Sequence, residues 1–218
     1  MLKIENLHKN FNEKVVFENF NLNICKGEFV TILGGNGAGK STLFNLISGT
    51  IFPDSGNIFM YEKNVTFLPE HKRAKYVGRV FQDPLRGTSP NFTIEENLVI
   101  ATLKNSKRNL KFASNKQNRE HFKEKLSQLE MNLENRLNDK VGLLSGGQRQ
   151  ALTLLMATIC EPRILLLDEH TAALDTKSQE KILILTEKIK ENPEITTLMI
   201  THNKEIEKRF GENFIIIQ

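Results

Sequence analysis

Nine consecutive residues, Gly34-Gly35-Asn36-Gly37-Ala38-Gly39-Lys40-Ser41-Thr42, follow the pattern G-x-x-x-x-G-K-[ST]. Glycines let a backbone curl so that successive N–H groups point inward at phosphate oxygens. A helix opening at Lys40 or Ser41 aims its positive end at the same place. In such a loop Lys40 reaches the β- and γ-phosphates of a nucleotide and the Ser41 hydroxyl binds Mg²⁺. Gly34, Gly35, Asn36, Gly37, Ala38, Gly39, Lys40, Ser41 and Thr42 are therefore candidate nucleotide-binding residues. The plain alternative is a glycine-rich turn that happens to precede Lys-Ser. With glycine near 7 % of residues, that is roughly a one-in-a-hundred event in a chain of this length.

Two further groups could act with that loop. Ile164-Leu165-Leu166-Leu167-Asp168-Glu169 is an apolar run ending in two carboxylates. Any buried strand can end in an acid, but beside a phosphate loop Asp168 becomes an organiser of Mg²⁺ and Glu169 a general base for an attacking water. Leu144-Ser145-Gly146-Gly147-Gln148 has a modest reading: Ser145 and Gln148 form a capping box for the apolar helix from Ala151 to Ile159. A cap alone does not need two glycines in the first turn, where each costs up to ~1 kcal/mol. They let a ligand approach the backbone, so Ser145, Gly146, Gly147 and Gln148 offer a second helix N-terminus to an anion.

Three short apolar runs position these groups: Phe29 to Leu33, Ile164 to Leu167 and Thr197 to Ile200. Runs of this length between polar segments suit buried parallel strands. Helical stretches, such as Thr42 to Ser48 and Ser178 to Glu191, separate them, which argues for an α/β sheet covered on both faces. Ligands of such sheets gather beyond the carboxyl ends of the strands. The residues that follow the three runs are Gly34-Gly35-Asn36, Asp168-Glu169 and Thr201-His202, so all three sets reach one edge of the sheet. Between Asp83 and Lys140 the pattern is different. Thr93 to Leu103 and Arg119 to Met131 read as helices joined by a charged, Asn-rich link, a helical insertion in the core. Leu2 to Ile24 and Asn57 to Tyr61 read as short strands of an antiparallel flank.

Composition narrows the class. The 218 residues are 39 % hydrophobic and 26 % charged, ordinary for a globular protein. The N-terminus lacks the pattern of an export signal. The longest apolar stretch, Ala151 to Cys160, falls short of the roughly 20 residues a bilayer needs. If the protein works at a membrane, another chain supplies the span. Cys25 and Cys160 are far apart, which fits a reducing compartment rather than a zinc site. The net charge of +4 is concentrated between Lys104 and Lys140, where ten Lys or Arg face five Asp or Glu.

Together the glycine motifs and the acidic pair resemble the ATP-binding-cassette ATPase family, over essentially the whole chain. The resemblance implies an α/β P-loop NTPase core with a mainly parallel sheet, an antiparallel β flank and an inserted α-helical subdomain. It implies one domain over 1–218, with the core in 1–82 and 141–218 and the helical subdomain in 83–140. Further matches follow in order. Phe11 stands where the family places an aromatic that stacks on adenine. Gln82, in Val80-Phe81-Gln82-Asp83-Pro84, matches the glutamine loop and joins Ser41 and Asp168 at the metal. Asp175, in Ala173-Leu174-Asp175, matches the loop that crosses a dimer. His202 matches the switch histidine, so the catalytic set is Glu169, His202 and Gln82.

By the same resemblance, two subunits pack head to tail as a homodimer or a paralogous heterodimer. Each ATP then lies between one phosphate loop and the partner's Ser145-Gly146-Gly147-Gln148. Such a pair works at the cytoplasmic face of the membrane, closing and opening beneath a transmembrane permease. The stretches Phe81 to Leu98, Lys140 to Thr158 and Asp168 to Asp175 are similar to bacterial importer ATPases. Those work with an extracytoplasmic solute-binding protein for small organic solutes such as amino acids. No nucleic-acid partner is expected. The rival is a soluble cassette ATPase acting on DNA or ribosomes, with the basic Lys104 to Lys140 segment in its favour. A non-hydrolysing cassette would be expected to lack Glu169 or His202. The chain departs from the pattern at His170, where the family usually has proline, and histidine frees φ and restores an N–H donor. It also stops at Phe214 to Gln218, where relatives continue through another strand. Either the chain is cut short or its natural end is short.

Overall fold

The computed structural model describes residues 1–12, 14–103, 116–211 and 213–217. Most of the charged link expected after Leu103 lies outside them. In chain order the elements are β1 (Leu2–Phe11), β2 (Lys14–Ile24), β3 (Phe29–Gly34), α1 (Lys40–Ser48), β4 (Ser55–Met60), β5 (Lys63–Asn64), α2 (Glu70–Arg73) and β6 (Val77–Val80). There follow α3 (Ile94–Thr102), α4 (Lys116–Ser127), α5 (Gly146–Thr158), β7 (Ile164–Asp168), α6 (Thr176–Lys190), β8 (Thr196–Ile200), α7 (Lys204–Phe210) and β9 (Phe214–Ile217). They form two compact units, Met1–Arg79 with Arg163–Asp168 and Lys190–Gln218, and Val80–Pro162 with Glu169–Ile189.

The first unit is built around a five-stranded sheet in the order β6-β7-β8-β3-β9. The three apolar runs are its central strands β7, β8 and β3, and they pair parallel as expected. Near-continuous burial along them is what a sheet covered on both faces requires. Asp168 is level with Ile200, and Ile200 with Ile32. The strands therefore deliver Gly34, Asp168 and Thr201 to one edge, as the run endings imply.

The N-terminal flank is a second, antiparallel sheet in the order β2-β1-β4-β5. Its first two strands are not short: β1 has 10 residues and β2 has 11. The apolar alternation breaks after Leu2 and Ile4 and resumes at Leu7, which looks like a strand end in the sequence. In the fold the pairing slips between Ile4 and Leu7, and Asn6 takes a φ of +48°. One extra residue there keeps Leu7 on the core face, as a β-bulge does.

Helix α1 buries Leu43, Phe44, Leu46 and Ile47 in the same core as Leu2, Ile4, Leu166 and Leu198. Its C-terminal end is held by Arg73, which is fully buried. That guanidinium donates to Leu46 O (2.6 Å), Ile47 O (3.0 Å), Thr66 O (2.7 Å) and Leu68 O (2.7 Å). Two of the four carbonyls lie in the last turn of α1, where the helix dipole favours a cation. Burial lowers the Arg73 pKa to about 10, so it stays charged at neutral pH.

The second unit is mainly helical. A capping box starts α3: Thr93 N–H donates to Glu96 Oε2 at 2.7 Å, and Glu96 N–H to Thr93 Oγ1 at 3.1 Å. Glu95 and Arg119 pair and join α3 to α4. This unit exceeds the expected insertion of 83–140, because α5 and α6 group with it. Close packing explains the difference. α5 lies against α3 and α4, a Cβ added at Gly87 would come within 2.5 Å of Thr153 Cγ2, and one added at Gly147 within 2.4 Å of Ser178 Cβ.

Candidate nucleotide-binding site

In the first unit the phosphate loop connects β3 to α1. Gly39 caps the nine-residue helix with φ +101°. A Cβ there would lie 2.7 Å from Val16 Cγ1 and 3.1 Å from Phe17 Cζ, so β2 crowds the loop and glycine alone fits. Helix α1 has no side-chain cap and no acidic residue in its first turn. Its first internal bond runs from Leu43 N–H to Gly39 O at 2.8 Å. The N–H groups of Lys40, Ser41 and Thr42 precede that bond and suit an outside acceptor, and the helix dipole makes an anion the best one.

Lys40 is 6 % exposed, and its Nζ donates to Gly34 O and Gly35 O, each at 2.8 Å. The ammonium thus crosses the loop it belongs to. Ser41, Gly35, Asn36 and Gly37 are exposed, and Ala38 and Thr42 are half-buried.

Phe11 lies at the turn end of the β1–β2 hairpin with its ring 45 % exposed and Lys9 Nζ 5.1 Å from its centroid. Lys14, its partner across the turn, donates from Nζ to Gly37 O at 3.4 Å. The hairpin end therefore rests against the phosphate loop, which puts an exposed aromatic face beside a phosphate cradle. His202 follows β8 and is exposed. It is set by its neighbours, since Thr201 Oγ1 accepts from Asn203 N–H at 3.2 Å and Asn203 caps α7.

Asp168 ends β7 with its carboxylate on Arg79, Nη2 to Oδ2 at 3.2 Å. Arg79 Nη1 also donates to Asn45 Oδ1 on α1 at 2.7 Å. Motif reading does not single out Arg79. The available signal is a charged residue between Val77 and Val80, two apolar residues of a short strand. The Asp168 carboxylate and the Ser41 hydroxyl are hard oxygen donors, the kind Mg²⁺ takes together with substrate phosphates and water, so this chemistry fits that metal.

In the second unit Gln82 sits on an exposed bend. Gln150 of α5 anchors the bend by donating to Phe81 O at 3.2 Å, and Asp83 closes it by accepting from Leu85 N–H at 2.9 Å. The capping box read at Ser145 is present: Gln148 N–H donates to Ser145 Oγ, and Ser145 N–H to Gln148 Oε1, both at 3.2 Å. The two glycines differ. Gly146 is exposed with only Leu174 Cδ2, at 3.9 Å, near a would-be Cβ, whereas Gly147 is pressed against Ser178. Packing against Ser178 requires a glycine at 147, whereas the open backbone belongs to Gly146.

Asp175 caps α6, accepting from the N–H groups of Lys177 and Ser178 at 3.1 Å each. Hydrogen bonds from Ser178, first from its hydroxyl, hold the Asp175 carboxyl below the usual carboxylate range. Ser145, Gln148, Asp175 and Ser178 line one cavity of about 660 Å³ with Lys177 and Lys181. Thus Ser145 and Asp175, 30 positions apart in sequence, are brought together. Glu169 has φ +45°. His170, the departure from the family pattern, is buried, and burial lowers its pKa to about 4.

Residues 17–172 match the family model described as ABC transporter. The chain is 46 % identical to the tyrosine transport ATP-binding protein of Clostridioides difficile (strain R20291), over the whole chain and 88 % of that relative. It is 36 % identical to the spermidine/putrescine import ATP-binding protein PotA of Spiroplasma citri, over the whole chain but 59 % of PotA. Among solved structures, the dimeric post-hydrolysis state of the ATP-binding cassette MJ0796 bound to ADP and Pi superposes with a TM-score of 0.84 at 32 % identity. That match covers the whole chain and 94 % of the cassette. An exposed, uncapped phosphate loop of this geometry in a chain of this kinship leads to one assignment: the chain belongs to the ABC transporter family, as an ATP-binding subunit whose ATP hydrolysis energises transport.

Proposed function

We propose that the chain is one of two ATPase subunits bound to the cytoplasmic face of a membrane permease that imports an amino acid, with a solute-binding protein delivering the solute outside. Kinship supports the solute: the relative at 46 % identity is named for tyrosine transport and shares nearly its full length. Among the described residues no helix is long and apolar enough to cross a membrane, which suits a subunit docked on another chain. Exposed apolar side chains of the second unit, Leu143 (71 %), Leu85 (46 %) and Phe92 (45 %), give a permease something to cover.

The observation that carries the reading is the uncapped start of α1 with Lys40 folded across the loop. Phosphate oxygens can take up the N–H groups of the first turn and draw the Lys40 ammonium from two neutral carbonyls to a charged, stronger acceptor. Phe11 stacks on the adenine. Ser41, Asp168 and Gln82 hold Mg²⁺, which when bound offsets negative charge on the transferred phosphoryl group. Glu169 accepts a proton from the attacking water, and His202 holds the γ-phosphate end of the site. Ser145, Gly146, Gly147, Gln148 and Asp175 serve the nucleotide of a second copy across a dimer. One chain then presents two anion-seeking helix starts to two different triphosphates.

Glu169→Gln tests the chemistry. It should bind ATP with nearly unchanged affinity, lose at least about a hundredfold in turnover, and accumulate an ATP-bound dimer on size exclusion. Ordinary steady-state hydrolysis in that variant would remove Glu169 from the role. Uptake of labelled tyrosine into vesicles holding the chain with its permease tests the transport reading. Uptake indifferent to ATP inside the vesicle, or no preference for amino acids over polyamines, would overturn it.

A further inference from the structure

Glu169 adopts φ +45°, a left-handed backbone that disfavours any residue with a Cβ and persists only where surroundings enforce it. The turn that starts there is closed by a hydrogen bond from Ala172 N–H to Glu169 O at 3.0 Å. The next side chain, His170, is 2 % exposed, with its Nε2 3.0 Å from the hydroxyl of Thr186 on α6. Thr186 is itself fully buried, and its hydroxyl donates to Ile182 O at 2.8 Å. A hydroxyl has one proton, so toward the imidazole this oxygen can only accept, and Nε2 must carry the hydrogen.

Packing alone does not call for this arrangement. An apolar ring would fill the space without desolvating an imidazole, and a β-branched hydroxyl residue is a poor choice inside a helix. We propose that the His170–Thr186 hydrogen bond is a positioning device, which ties the residue after Glu169 to α6 and holds the Glu169 backbone in its left-handed turn. Glu169 is thereby kept where it can receive a proton from water. The inference rests on the reading of Glu169 as general base.

The test uses the full chain with Mg-ATP. Thr186→Val keeps shape and branching but removes the acceptor. It should lower kcat about tenfold or more while KM for ATP stays close to that of the parent, it should lower the melting temperature only modestly because a buried Nε2–H is left without its acceptor, and it should prolong the ATP-bound dimer on size exclusion. Thr186→Ser, which restores the hydroxyl, should recover kcat. His170→Phe, which fills the space without a donor, should match Thr186→Val, and the double variant should fall no further. Parental kcat in Thr186→Val, a loss shared by Thr186→Ser, or additive losses in the double variant would each overturn the proposal. Glu169→Gln is the control. If it hydrolyses ATP normally, the general-base reading fails and this inference with it. If it is inactive while Thr186→Val turns over normally, the positioning role alone is wrong.

Discussion

On the proposed reading, the Lys40 side chain is committed before its ligand arrives. Its ammonium rests on Gly34 O and Gly35 O, both within the loop it serves, so moving it to a phosphate exchanges two neutral acceptors for a charged one. Lys40→Ala should therefore weaken nucleotide affinity directly, by about tenfold or more given 1.5–3 kcal/mol for a hydrogen bond to a charged group. Titration with a fluorescent ATP analogue would measure this, and unchanged affinity would mean the backbone N–H groups bind alone. The helix start at Lys40 was legible from the motif. Arg79 and Thr186 were not, because each matters through one long-range partner, Asp168 for the first and His170 for the second. Local spacing carries no trace of such a partner.

Helix ends do much of the placing at the element scale. Ser145 caps α5, Asp175 caps α6, Thr93 caps α3 and Asn203 caps α7, while α1 alone among these helices starts at a left-handed glycine without a side-chain cap. The capping rules expose Ser145 and Gln148 in the sequence because a cap and its answering residue are three positions apart. The two glycines between them have different work. Gly147→Ala would force a Cβ to within 2.3 Å of Ser178 Oγ and should cost about 1–3 kcal/mol through overpacking. Gly146→Ala meets open space and should be neutral or stabilise the helix by up to about 1 kcal/mol. Thermal melts of nucleotide-free protein would separate them, and equal melting temperatures would refute the packing account of Gly147. The antiparallel flank was under-read for a related reason. A bulge at Asn6 restarts the alternation, and in sequence a restarted alternation looks like two short strands.

At the scale of the whole molecule, the chain divides into two compact units, and each offers a helix start suited to an anion, α1 in one and α5 in the other. If two copies share each nucleotide, a bulky cation at the α5 start should block ATP-driven pairing without unfolding either unit. Ser145→Arg is that change, and light scattering with and without ATP, alongside circular dichroism, would read it. A dimer that forms normally in Ser145→Arg would argue against a shared site. The sequence by itself determined the class of sheet, the phosphate loop and the edge where the strand ends converge. Those features are local: a run of apolar residues, a glycine at an obligatory left-handed turn, a charge after a buried strand. Only the tertiary structure decided that α5 and α6 join the helical unit, that Gly147 is a packing glycine, and that a buried imidazole ties the turn at Glu169 to α6. Each of these depends on which surfaces meet once the chain has folded, and contacts between residues distant in sequence have no local pattern to announce them.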